Sequence, residues 1–288
     1  QTFGRALRVA REAALPKDEA DWHKGKGSAL VQLGRYSEAR AEYKISLATY
    51  ERAGLRRELI ECLLDKGALS RNLGDDFSAG RDYRRALQLS MAIKHPRGTL
   101  TAGLALGDLA RSRGKLDEAA QQYRNVMSVA TTGKDQARMA AAGSALSAVL
   151  RAQRNYPAAR KYGLEALATA RRASIATEEL RALLELGQTA RLQRDFAPAR
   201  ETLGEGERLA LRYREVDLSW RFAAAAGQLE EDAGRVNDAI SAYERAATVI
   251  ESVRSQIRER RFRSGYMDDK AQIFIALARL HLKLGRTD

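Results

Sequence analysis

The chain repeats itself at a fixed interval, the step that leads from Ala39 to Ala79. Alanine returns at Ala39, Ala79, Ala119, Ala159, Ala199 and Ala239. A ring or bulky side chain returns at Phe3, Tyr43, Tyr83, Tyr123, Leu203 and Tyr243, and Gly163 breaks that series. A small residue returns at Gly27, Gly67, Gly107, Ser147, Gly187 and Gly227. Within one copy, Leu104–Met127 reads as two amphipathic helices joined by a tight turn at Gly114. A helix pair of this size cannot bury its apolar stripe alone, so its neighbours must stack on it. The period therefore overrides what 288 residues would otherwise suggest, one large or two ordinary domains with central cores.

The periodicity predicts helices over 2–14, 17–33, 36–53, 56–73, 76–93, 97–113, 116–131, 135–153, 156–173, 177–193, 196–213, 216–233, 236–261 and 267–284. The four prolines agree with these starts. Pro16 and Pro96 lie near the start of a first helix, and Pro157 and Pro198 open second helices. The first turn tolerates proline because its N–H has no intrahelical partner there. Gly34, Gly74, Gly114, Gly234 and Gly285 suit the left-handed position that closes a first helix. Arg154 and Arg194 replace that glycine, so those two turns are expected to differ or to carry strain. Asp117 and Glu118 put negative charge on the first turn of a second helix, where the macrodipole favours it. Small residues such as Gly107 and Ala119 should let two helices approach closely, with Tyr123 filling the space between repeats.

The pattern resembles the tetratricopeptide repeat (TPR). The third copy matches with Leu106, Gly107, Gly114, Leu116, Glu118, Ala119 and Tyr123, and the first with Gly27, Gly34, Tyr36, Glu38, Ala39, Tyr43 and Leu47. The usual period of that family is about 34 residues, and the longer period here resembles its extended-helix forms. The resemblance implies an all-α fold, a right-handed superhelix of antiparallel helix pairs. Its expected division is a half repeat at 1–14, pairs at 15–54, 55–94, 95–134, 135–174, 175–214 and 215–263, and a single first helix at 264–288. On that register the chain starts and stops inside a repeat, which reads as a piece of a longer protein. The register changes once, because the step from Gly234 to Gly285 is longer than one period. The sixth second helix should then be long, with a short link near Arg263–Asp269. This segment resembles the one preceding the caspase-like domain of bacterial CHAT proteins, through Ala239, Tyr243, Ala246, Ile250, Glu251, Arg254, Arg263, Tyr266, Lys270, Phe274, Leu277, Leu284 and Gly285.

Lysines and arginines number 50 against 37 carboxylates, a net charge of +13. Such an excess suits nucleic acid, anionic membranes or acidic proteins. Because the charge is dispersed along the chain, solvated helix faces are the preferred reading and nucleic acid is not the expected partner. The lone Cys62 excludes an intrachain disulfide, and its apolar neighbours suggest a buried inert thiol. No apolar run approaches the roughly 18 residues of a membrane span, and a cytoplasmic location is expected. His23, His95 and His281 read as exposed or half-packed. No cofactor, metal or catalytic motif is present, so no enzyme activity is expected and the catalytic, cofactor and metal assignments are none.

Two arginine groups are candidate binding residues. Arg71, Arg111, Arg151 and Arg191 stand one period apart in four consecutive repeats. By resemblance to TPRs, that place on the first helix lines the concave groove, with Lys24, Asp108 and Gln188 as further lining. Guanidinium forks bind carboxylates in a bidentate way, so an acidic or C-terminal peptide segment is the expected ligand, from a partner or from the same protein. The competing reading pairs each arginine with a nearby carboxylate such as Asp108 or with a helix dipole. The carboxylate clamp of chaperone-binding TPRs is not reproduced: Lys24 fits it, but Ser28 and Ala68 stand where asparagines would be expected. The second group, Arg254, Arg258, Arg260, Arg261 and Arg263, is either an anionic docking patch or the solvated end of a long helix. The chain thus reads as a non-catalytic interaction or regulatory module, attached to a CHAT peptidase or to a bacterial signalling or transcription regulator.

Overall fold

The computed structural model describes residues 16–256 and 270–285. Among these residues there are thirteen α-helices and no strand. They are α1 Pro16–Gln32, α2 Tyr36–Arg52, α3 Arg56–Asn72, α4 Asp76–Ala92, α5 Pro96–Ser112, α6 Leu116–Thr132 and α7 Gln136–Ala152. They continue with α8 Tyr156–Arg172, α9 Ala176–Leu192, α10 Phe196–Tyr213, α11 Val216–Asp232, α12 Val236–Gln256 and α13 Ala271–Lys283. The chain divides into two compact units, Gln1–Arg138 and Met139–Asp288.

The expected helices are present, most of them to within one residue. α12 runs for 21 residues where the preceding helices run for 17 or 18, as the altered spacing requires. Its hand-over near Ser264–Gly265 and the helix expected at 2–14 lie outside the described residues.

The turns keep a stricter beat than the sequence shows. A left-handed residue closes nearly every helix, once in each half period: Gly34, Gly54, Gly74, Lys94, Gly114, Lys134, Arg154, Ser174, Arg194, Arg214 and Gly234. The reason is backbone hydrogen bonding. The next N–H turns back to a carbonyl of the helix just ended, Lys115 N to Ala110 O at 2.9 Å, Asn155 N to Leu150 O at 2.8 Å and Asp195 N to Ala190 O at 3.0 Å. Such a closure satisfies carbonyls that the helix end would leave bare. Of the two outcomes expected at Arg154 and Arg194, a different turn or a strained one, the second holds for both turns. They adopt the glycine geometry, with φ of 61° and 64°, and carry the left-handed strain of a side chain.

The recurring residues pack as their sizes suggest. All six alanines of the series are fully buried. A Cβ added to Gly107 would lie 2.5 Å from Tyr123 Cε1, and one on Gly67 would lie 2.6 Å from Tyr83 Cε1. Only glycine lets the ring lie against the first helix. Where the series breaks, Gly163 faces Ser147, and Leu186 of the following first helix fills the missing ring's place, 2.9 Å from a Cβ built on Gly163. Ser147 Oγ donates to Ala159 O at 2.7 Å. The first unit's core gathers around Tyr50, Ile60, Leu63 and Leu69, the second's around Leu180, Leu183, Leu203, Phe222 and Leu229.

The first unit also buries charge. Lys66 pairs with Asp82 inside the second helix pair, and Lys26 Nζ lies 2.5 Å from the largely buried Glu42 in the first. Glu42 takes a second partner, His23 Nδ1 at 2.5 Å. His23 is buried, which corrects its reading as exposed or half-packed: the histidine faces its own second helix.

Candidate functional site

The expected binding residues lie on the first helices, and the structure gives each ladder arginine a carboxylate. In the first unit, Arg71 Nη1 lies 3.5 Å from Asp108 Oδ2, and Arg111 Nη2 lies 3.8 Å from Asp108 Oδ1. Tyr123 donates its hydroxyl to the same carboxylate at 2.6 Å. Burial and the neighbouring Asp108 raise the Tyr123 hydroxyl well above the ordinary tyrosine range, so it stays a donor. Lys24 Nζ is 2.9 Å from Glu61 and 3.8 Å from Asp65. Burial opposes the Lys24 charge, but the Glu61 hydrogen bond and the Asp65 and Glu61 charges outweigh it and raise its pKa.

In the second unit, Arg151 places Nε and Nη2 on Glu185 Oε2, at 3.1 and 2.9 Å. Arg191 donates Nη1 to Asp232 at 2.6 Å, with only 16% of its side chain exposed. Its Nε is buried and has no acceptor among the described residues. Gln188 is half-buried one turn before it. Further on, Arg279 pairs with Glu231, which also accepts from the Tyr243 hydroxyl at 3.2 Å.

These pairs tie α1 to α3, α3 to α5, α7 to α9, α9 to α11 and α11 to α13. The exposed ones among them, such as Arg71–Asp108, contribute roughly 0–1 kcal/mol each and fix spacing more than they stabilise. The period found the arginines but not Glu61, Glu185 and Asp232. Those carboxylates stand at offsets of 37, 34 and 41 residues from their partners, which breaks the repeat.

Of the basic group near the end of α12, Arg254 pairs with Glu251 at 2.7 Å. Arg258, Arg260, Arg261 and Arg263 lie outside the described residues. Cys62 is fully buried, and burial pushes its thiol up to about 12, far from a reactive thiolate at neutral pH. Among the described residues no group of three or more His, Cys, Asp or Glu could hold a metal ion, and no helix is long and apolar enough to cross a membrane.

Residues 139–174 match the family model of the tetratricopeptide repeat. The chain has the fold of a TPR array. Among solved structures, the apo form of RapI aligns with a TM-score of 0.70 and 13% identity, over 93% of this chain and 98% of its own. Aspartyl phosphate phosphatase F from Bacillus subtilis aligns with 0.69 and 14% identity, over 97% of this chain and 73% of its own. A Rap protein complexed with Competence and Sporulation Factor aligns with 0.64 and 13% identity, over 98% of this chain and 80% of its own. No curated protein matches the sequence. At these identities the likeness concerns the fold of the TPR array alone, and the long helices of its extended period stand among the TPR-like helical solenoids.

Proposed function

We propose that this TPR array is an interaction module without catalysis of its own, and that its first-helix face takes an acidic or C-terminal peptide segment. The four arginines one period apart on consecutive first helices carry the reading, because each offers a guanidinium fork that suits a carboxylate. At Arg191 the Nε is closed off from solvent and Nη1 holds Asp232, so a ligand there has to share or displace that carboxylate. At Arg71, Arg111 and Arg151 an incoming carboxylate has to share or displace Asp108 or Glu185. Binding there couples to the spacing of consecutive first helices. One similar structure holds a Rap protein with Competence and Sporulation Factor, which supports a binding role for this fold.

The test is Arg151→Gln with Arg191→Gln, read by fluorescence anisotropy against acidic peptides with free or amidated C-termini. Binding should fall while helicity by circular dichroism is kept. Retained affinity for every peptide that the parent chain binds would make the ladder a structural device. A second reading places the module beside a caspase-like CHAT peptidase and rests on the lengthened α12. The reading frame continuing past Asp288 decides it: a caspase-like His/Cys domain supports it, and a DNA-binding domain favours a transcription regulator.

A further inference from the structure

The charge excess that looks dispersed in the sequence collects on one edge of the first unit. α2, α4 and α6 end on this edge, and α3 and α5 begin there. It carries Arg52, Arg56, Arg57, Lys94, Arg97 and Lys134, all exposed. Among the described residues none of the six forms an ion pair. Arg52 reaches only Ala48 O and Thr49 Oγ1 of its own helix, both at 3.4 Å. Of the carboxylates on the edge, Glu51 pairs with Arg85, Glu58 with Lys17 at 4.0 Å and Asp135 with Arg138 at 2.7 Å, while Asp18 on the first turn of α1 is exposed. The opposite edge of the same unit differs. There Arg35, Arg40, Arg113 and Lys115 pair with Glu38, Asp75, Asp76 and Glu118 at 2.6, 3.8, 3.2 and 3.3 Å. Two of the unpaired cations also sit on strained backbone. Lys94 and Lys134 hold φ of 50° and 54°, at the position where Gly54 holds 68°.

We propose that this edge docks an acidic α-helix of a partner protein, lying along the three turns. The spacing suits a helix. Arg71 of α3 reaches Asp108 of α5 at 3.5 Å, so consecutive first helices are neighbours; at the roughly 8–10 Å of neighbouring helices the turns before α3, α5 and α7 span about 20 Å. An α-helix presents residues i and i+7 about 10.5 Å apart, so one acidic face meets each turn in register. A duplex is a poorer match, with one phosphate charge per roughly 1.7 Å of axis. The edge is built of turns, so no helix or ribbon projects to enter a groove. Among the described residues it offers no exposed ring for base stacking either, since Tyr50 beside it is fully buried. The surface is separate from the first-helix ladder, so either site can fail while the other stands.

The experiment uses the full chain and a fluorescent Ala/Glu helical peptide of about 21 residues, long enough at about 1.5 Å per residue to cross the three turns. A duplex DNA of about 20 base pairs and phosphatidylserine vesicles are the other arms. The charge reversal is R56E/R57E/R97E. The control, R160E/K161E/R208E, makes the same charge change at exposed residues of the second unit. Peptide affinity should fall about tenfold or more in the first variant and less than about twofold in the control, with a salt dependence that the first variant loses. If the reversal fails to fold, R56Q/R57Q/R97Q should still weaken binding severalfold. Equal losses in both triple variants, absence of peptide binding, or edge-dependent binding of the duplex or vesicles in place of the peptide would each overturn the proposal.

Discussion

Among the described residues, six other than glycine hold a left-handed backbone, and five of them are lysine or arginine. A side chain there costs roughly 1–2 kcal/mol. A cation just past a helix C-terminus recovers roughly 0.3–1 kcal/mol from the macrodipole. The balance still favours glycine. Arg154→Gly with Arg194→Gly should therefore raise stability by about 0.5–1 kcal/mol per site, read as a higher urea midpoint with an unchanged slope. The sequence showed the glycines of this series but not their equivalence to Lys94, Lys134, Ser174 and Arg214, because composition hides what the backbone hydrogen bonds impose. Glu178 is the other residue at odds with its surroundings. It is buried, accepts from Arg181 Nη1 at 2.8 Å through Oε1, and leaves Oε2 without a partner among the described residues. Burial raises its pKa, which Arg181 only partly offsets. In the unfolded chain it titrates near about 4.3. As pH rises from there, the unfolded state loses its proton first, so stability falls until the native carboxyl has also ionised. Glu178→Gln should stabilise the protein at about pH 7 and have little effect below about pH 4. Urea midpoints at the two pH values check this, and equal effects at both would mean that packing, not charge, sets the change.

Between elements the sequence was legible through a second spacing inside the period. Five of the six small residues meet the bulky residue one constant step later, as Gly27 does Tyr43 and Gly227 does Tyr243, and Ser147 with Gly163 is the exception. The same offset joins Lys26 to Glu42 and Lys66 to Asp82. Periodicity alone did not reveal these pairs, since the corresponding residues of the third repeat, Leu106 and Gln122, carry no charge. It also hid that His23 turns inward to Glu42. Lys66 and Asp82 have 14% and 6% of their side chains exposed, and Asp82 also lies 3.6 Å from Arg81 Nε. Asp82→Ala leaves a buried ammonium unpaired and should cost about 3–5 kcal/mol. Replacing both members, Lys66→Met with Asp82→Leu, should be neutral or stabilising by up to roughly 4 kcal/mol. Thermal melts of the single and double variants separate the two outcomes. A double variant as unstable as the single would show that the pair's shape, rather than its charge, holds α3 to α4.

At the scale of the whole chain, a repeat array has no shared core, so its stability is close to a sum over repeats and the contacts between neighbours. At one recurring pair of positions the two units differ, although the second unit buries charge elsewhere, at Glu178 and Glu230. There the first two helix pairs hold Lys26–Glu42, whose lysine side chain is 43% exposed, with His23, and the largely buried Lys66–Asp82. The matching places in the second unit hold Leu146 and Tyr162, Leu186 and Thr202, and Ala226 and Ala242. Desolvation offsets much of the Coulomb attraction of a buried pair, whereas apolar contacts carry no such penalty. The first unit should accordingly open at lower free energy. Subglobal opening of this kind is visible in amide exchange. Under native conditions α1–α4 should take up deuterium before α9–α12, and low concentrations of urea should widen the gap. Acid should widen it too. Despite burial, the Lys26 and His23 hydrogen bonds hold the Glu42 carboxyl below its ordinary range, so its contribution is lost as pH falls through that lowered pKa. Exchange that is uniform along the chain, or slower in α1–α4, would mean that these ion pairs stabilise as much as the apolar contacts in their place. The edge with six unpaired cations belongs to the unit expected to open first. A partner bound there should slow exchange in α2–α5 by mass action, which gives the docking proposal a second readout in the same measurement.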